Sequence, residues 1–201
     1  MKARFLFSLV GLALGCRGGW AQRVQNSDIF FLYGAAPVSS RTISGSNVII
    51  NGETARTTEV GYGYQIARFS AASLWVELVA PATSFASSTA SIPGSVSDDL
   101  FAFTAGARVM VPLQSRLSAY GVLAGGGGFL QSPVIPGGPN PSIASNESAH
   151  GMFVTGGGLD VRLASFLSIR AEARDFITVP GLSGSAGHNH ILPALGIAWH
   201  F

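Results

Sequence analysis

Few residues in this 201-residue chain can do chemistry, and most of those are charges. Glu59, Glu77, Asp160 and Glu172 stand against Arg108, Arg162, Arg170 and Arg174, and in Arg170-Ala-Glu172-Ala-Arg174 the charges recur at every second residue. On a strand that spacing puts opposite charges side by side on one face. A guanidinium stays charged in nearly any surroundings, and its planar fork can hold a carboxylate through two donors. The chemistry indicated is therefore ion pairing. The pairs would either fill an interior and satisfy its polar groups, or form a gated path that rearranges to admit ions.

Other constellations are weaker. His188 and His190 share a face by their spacing and His150 is a third candidate, but nothing sets a third ligand for zinc or copper, so no metal site and no cofactor are expected. The glycine runs 125–128 and 156–158 lack the lysine and following helix of a phosphate loop, and close packing explains them better. The Asn146-Glu-Ser148 sequon matters only in a glycosylating pathway.

The elements that must position these charges are set by an unusual composition. Charged residues make up 11% of the chain, against roughly 25% in ordinary soluble domains. Hydrophobic residues reach 47%, glycine 26 residues, and mean hydropathy +0.38. A formal charge of +2 is too small for a nucleic-acid footprint, and the low charge excludes a disordered charged tail. The composition suits a membrane, yet after the N-terminus no run of about 20 apolar residues offers a spanning helix.

Residues 1–21 read as a secretory signal peptide: Lys2 and Arg4, an apolar stretch from Phe5 to Gly15, then Gly19-Trp20-Ala21 with cleavage before Gln22. Lipoprotein processing at Cys16 is the rival, although Leu14 sits one position away from where that motif needs it. Cleavage leaves a domain of residues 22–201 without lysine or cysteine, in which nine arginines face ten carboxylates. Disulfide and thiol chemistry are then excluded.

Within 22–201 the apolar period is near 2, which predicts eight strands at 28–36, 56–67, 72–81, 98–111, 116–130, 150–163, 166–177 and 189–201. Phe101, Phe103, Ala105, Ala107, Val109 and Val111 oppose Thr104, Gly106 and Arg108, and Leu195, Ile197, Trp199 and Phe201 oppose Ala194, Gly196, Ala198 and His200. The glycine-rich fifth strand fits either facing. Tight turns at 68–71, 112–115 and 164–165 alternate with long Ser-, Gly-, Pro- and Asn-rich connections at 37–55, 82–97, 131–149 and 178–188.

These features predict an all-β fold, an eight-stranded antiparallel up-and-down transmembrane β-barrel. A sheet in lipid must close, because an open edge would leave backbone groups unpaired. A soluble lipocalin or sandwich would also alternate, but its charges would face outward; here they share the face of the small residues, which suits a crowded lumen. Phe101, Phe103 and Phe153 near the loop end and Tyr64, Trp199 and Phe201 near the turn end supply two interfacial girdles. The lumen then receives Glu59, Glu77, Asp160 and Glu172 with Arg108, Arg162, Arg170 and Arg174, four pairs in balance, with Asp160 across the last turn from Arg170.

The terminal segment Ala194-Leu-Gly-Ile-Ala-Trp-His-Phe201 and the hairpin from Gly156-Gly-Gly-Leu-Asp160-Val-Arg162 to Arg170-Ala-Glu172-Ala-Arg174-Asp175 resemble the small outer-membrane β-barrels of the OmpA/OmpX/opacity-protein type. The resemblance implies residence in the outer membrane, contact with its lipid, and recognition of Trp199 and Phe201 by the barrel-assembly machinery. It implies no activity, because such barrels include adhesins, anchors and lipid-modifying enzymes.

The expected role is structural or surface-interacting, with a lumen plugged by Arg–carboxylate pairs and no catalysis, nucleic acid or cofactor. The four long loops are the expected contact surface for an extracellular partner. A small gated channel is the first alternative. A lipid A-modifying enzyme is the second, but the serines and rim histidines form no His-x-Ser-Asn segment of the kind that lipid A deacylase barrels carry.

Overall fold

The computed structural model describes residues 25–37, 41–42, 49–89, 92–134, 144–179 and 189–201; the expected signal peptide lies outside the described residues. The strands are β1 (Ser27–Pro37), β2 (Arg41–Thr42), β3 (Ile49–Arg68), β4 (Ser73–Thr89), β5 (Ile92–Pro112), β6 (Leu117–Val134), β7 (Ala144–Ala164), β8 (Leu167–Val179) and β9 (Asn189–His200). β1 pairs with both β9 and β3, and the others pair in chain order, so the sheet closes into an antiparallel up-and-down barrel. Eight strands are its staves. β2, within the expected connection 37–55, pairs only with Ile49 and Ile50 of β3.

The turn end matches the sequence reading to within a residue, with turns at 69–72, 113–116 and 165–166. The first and last described strands also meet there: Phe201 N donates to Ser27 O at 2.9 Å, and Ser27 N donates to Phe201 O at 3.1 Å. The loop end differs. β4 and β5 are separated only by residues 90–91, and β6 and β7 stay paired as far as Val134 and Ala144. Much of the sequence expected as loop at 82–97 and 131–149 is therefore strand. Ser, Gly and Pro weaken the local strand signal, but a ladder already in register extends by satisfying further backbone groups at each pair.

Parity divides wall from lumen. Phe101, Phe103, Val109 and Val111 of β5 are exposed, whereas Leu100, Ala102, Thr104 and Arg108 are buried. Register with β5 also decides the facing of β6: Tyr120, Val122, Ala124 and Gly128 point inward, and Gly121, Leu123, Gly125, Gly127 and Phe129 point outward. The aromatic residues expected at the two rims are all exposed on the wall, joined by Phe129 toward the loops and by Phe69 and Phe166 at the turns. Phe166 and Trp199 pack with ring centroids 4.7 Å apart.

The lumen has two layers. Toward the loops, Leu100, Val122, Met152, Val154, Phe176 and Leu192 belong to one buried apolar cluster. Toward the turns lie the charges described below, around the buried ring of Phe30. That ring occupies the space over Gly61, where a Cβ would fall 2.1 Å from Phe30 Cζ.

Gly196 is required at the closing seam, because a Cβ there would stand 1.9 Å from the Phe31 carbonyl oxygen of β1. On the wall, a Cβ at Gly151 meets nothing within 4 Å. Gly196→Val should therefore abolish the compact, heat-modifiable band of the folded barrel on unboiled gels, whereas Gly151→Val should keep it; equal behaviour of the two would show that the seam does not need glycine.

Candidate functional site: the lumenal charge network

Five carboxylates and three guanidiniums, none more than 6% exposed, meet in the turn-side half of the lumen. The inward parity of β1, β3, β4, β5, β7 and β8 brings them together from six staves. They form an alternating chain. Asp160 Oδ2 accepts from Arg170 Nε at 3.1 Å and from Arg170 Nη2 at 2.9 Å. The same Nη2 donates to Asp28 Oδ2 at 2.9 Å, and Arg108 Nη2 donates to that oxygen at 2.5 Å. Arg108 Nη1 then lies 3.6 Å from Glu77 Oε2, while Glu77 Oε1 lies 2.9 Å from Arg174 Nη1. Arg174 closes the chain on Glu172, donating from Nε to Oε1 and from Nη2 to Oε2 at 3.2 Å. Glu59 sits at this end, its Oε2 3.4 Å from Arg174 Nε.

Aromatic groups complete the surroundings. The Arg170 guanidinium lies 4.8 Å from the Phe30 centroid and Arg108 lies 4.9 Å from that of Trp75. Arg108 and Arg174 also approach Phe30, so one ring is shared by three cations. Such faces attract cations where water is excluded. Tyr120 Oη donates to Glu172 Oε2 at 2.6 Å. Nearer the turn end, His200 Nε2 and Ser168 Oγ are 2.9 Å apart, both buried.

Of the eight residues expected in the lumen, Glu59, Glu77, Arg108, Asp160, Arg170, Glu172 and Arg174 meet there, and β7–β8 pairing sets Asp160 opposite Arg170. Two corrections follow. Arg162 is exposed at the turn end, because β7 finishes at Ala164 and its side chain lies beyond the closed lumen. Asp28, not foreseen, is fully buried between Arg108 and Arg170. The local signal was ambiguous: Phe30 and Leu32 alternate with the equally apolar Phe31 and Tyr33, so either face of β1 could have been lumenal. The expected balance of four against four is instead five against three among the described residues.

Trp199 and Phe201 are exposed on the wall at the end of the last stave. His150 and His190 lie on β7 and β9, which are separated by β8, and His188 lies outside the described residues. Among the described residues no cluster of three metal-ligating side chains forms.

No protein-family model and no curated protein matches the chain. Among solved structures, two crystal structures of Ail, the attachment invasion locus protein of Yersinia pestis, match with 14% identity over 88% of this chain and 97% of Ail, at a TM-score of 0.50. In one of them Ail is in complex with the heparin analogue sucrose octasulfate. The N-terminal β-barrel domain of Pseudomonas aeruginosa OprF matches with 15% identity over 88% of this chain and 98% of that domain, at a TM-score of 0.48. At such identities the likeness is one of fold. A closed eight-stave barrel with an apolar wall, two aromatic girdles and its charges inside is an outer-membrane β-barrel, and membrane lipid is what its wall contacts.

Arg174 faces three carboxylates, so removing it strands the most charge. Arg174→Ala should cost about 3–5 kcal/mol of unfolding free energy in urea titrations of the detergent-folded protein. Arg162→Ala, at an exposed position, should stay within about 0.5 kcal/mol of wild type. Equal losses from the two would show that the ion pairs contribute little.

Proposed function

We propose that this protein is a non-conducting, non-catalytic barrel whose lumen is plugged, and which serves the outer membrane as a structural and surface-contact protein. The observation that carries this reading is the filling of the lumen by two unlike layers. Ions that passed the Arg–carboxylate chain would still meet the apolar cluster of Leu100, Val122, Met152, Val154, Phe176 and Leu192. An apolar constriction resists ions by excluding water, and eight staves leave little room to widen it.

The surface-contact part rests on the loop end. The β6–β7 hairpin stays paired to Val134 and Ala144, well past outward-facing Phe129 and Phe153, so the strands carry the loops away from the girdle. Ail binds a sulfated heparin analogue, but a similar ligand for this chain would need a basic loop end, and the segments there carry few charges of either sign, among them Arg41 of β2, Glu53 of β3 and Glu147 of β7. A contact through uncharged polar groups suits them better. Trp199 and Phe201, on the stave that meets β1 at the seam, are the residues through which the barrel-assembly machinery would engage the chain.

Purified, folded protein in planar bilayers at neutral pH should give no stable conductance steps. Reproducible unit steps would replace this reading with the gated channel. Cell fractionation should place the protein in the outer membrane with a mobility change on boiling, and a soluble periplasmic protein with no such change would refute the reading.

A further inference from the structure

The lumenal network is short of positive charge. Among the described residues, five buried carboxylates against three guanidiniums leave a formal excess of two negative charges, and a cationic His200 would remove only one. Uncompensated charge in a low-dielectric interior costs many kcal/mol, and the usual resolution is that a group binds a proton.

The geometry shows which carboxylate is surplus. Asp28 lies between Arg108 and Arg170, Glu77 lies between Arg108 and Arg174, and Asp160 is held by Arg170. Glu172 accepts from Arg174 and from Tyr120 of β6. Glu59 and Glu77 both lack an aligned donor at either oxygen, but Glu77 lies between two guanidiniums, whereas Glu59 has only the 3.4 Å approach to Arg174 Nε, a nitrogen already given to Glu172. The charged and titratable groups packed about Glu59 are Arg174 and Glu172 from β8 and Glu77 from β4, with Asp28 of β1 and Arg108 of β5 beyond Glu77. Glu59 Oε2 and Glu172 Oε1 converge on the same Arg174 Nε, which sets the two carboxyl groups side by side. Two ionised carboxylates cannot bond, because neither has a hydrogen to donate. Of the two, Glu172 holds the donors that stabilise an anion.

We propose that the lumen contains a proton-binding site, in which Glu59 is a neutral carboxylic acid that donates its O–H to the Glu172 carboxylate on Arg174. The proton completes the plug at neutral pH, and its loss at alkaline pH sets two facing carboxylates on one guanidinium. The inference deepens the plugged-lumen reading and rests on it. Folding then takes up a proton around neutrality, because a solvated glutamic acid is ionised there. Stability must fall as pH rises, until the folded state releases the proton as well.

The test is difference infrared spectroscopy on the folded, full-length protein in detergent at neutral pH, with urea unfolding across pH beside it. Wild type should show the C=O band of a protonated carboxyl, and Glu59→Gln should remove it. Glu172→Gln should remove it too, because Arg174 is then released to an ionised Glu59. The wild-type unfolding equilibrium relative to that of Glu59→Gln should shift by about tenfold per pH unit around neutrality, with wild type losing ground as pH rises. If Glu59→Gln does not fold, the wild-type spectrum and Glu172→Gln decide. A neutral-pH spectrum without the band, a band that survives Glu59→Gln, or one that survives Glu172→Gln overturns the proposal. Infrared reads the proton and bilayer conductance reads the seal, so failure of this proposal and failure of the plugged lumen are told apart.

Discussion

Everything in this molecule follows from the cost of an unpaired backbone group in hydrocarbon. A chain without a spanning helix can satisfy that constraint only by closing a sheet on itself. Closure makes the β1–β9 seam the critical contact, and it explains why the seam is so tight. Gly196 and Gly34 lie where a Cβ would press on the Phe31 and Pro193 carbonyl oxygens of the facing strand. The pairing of Ser27 with Phe201 ties the ends of the described barrel to the same seam.

Closure at eight strands also fixes how the inside is filled. The circumference leaves an interior that side chains must occupy, and half of every strand points into it. Polar groups cannot face lipid, so the charges gather inside, where each guanidinium meets two or more carboxylates and the ring of Phe30 stands where water would otherwise be. The lumen changes character along its length. Charges dominate beside the turns, and the apolar cluster takes over toward the loops. The outer wall carries apolar and small residues where a soluble fold would carry its charges.

Where strands alternate strictly, the sequence was readable. Arg170, Glu172 and Arg174 face inward as their spacing requires, and Asp160 stands opposite Arg170 through a one-residue register shift between Arg162 and Ala164, just beyond the turn at 165–166. β1 was ambiguous for the opposite reason. Both of its faces are apolar, so nothing local distinguished Asp28 from a wall residue near the rim. For Arg162 the parity was correct and the depth was not: periodicity gives the face of a strand, but the height at which the lumen ends depends on the neighbouring turns. The long paired extensions were hidden in Ser-, Gly- and Pro-rich sequence, because strand propensity is weak there and the partner strand supplies the stabilisation.

The sequence by itself determined the class of the protein. Period-2 alternation, scarce charge and alternating turn lengths leave few ways to satisfy a backbone in lipid, and those features are local. It also determined that arginine would be the buried cation, since Lys2 is the only lysine and falls within the expected leader. The tertiary structure decided the membership and charge balance of the lumenal network. Asp28 is 80 residues from Arg108 and 142 from Arg170, so their meeting depends on closure of the seam and on the stagger of non-adjacent staves. An excess of carboxylate over guanidinium is a property of that enclosed volume, and no stretch of the chain contains it.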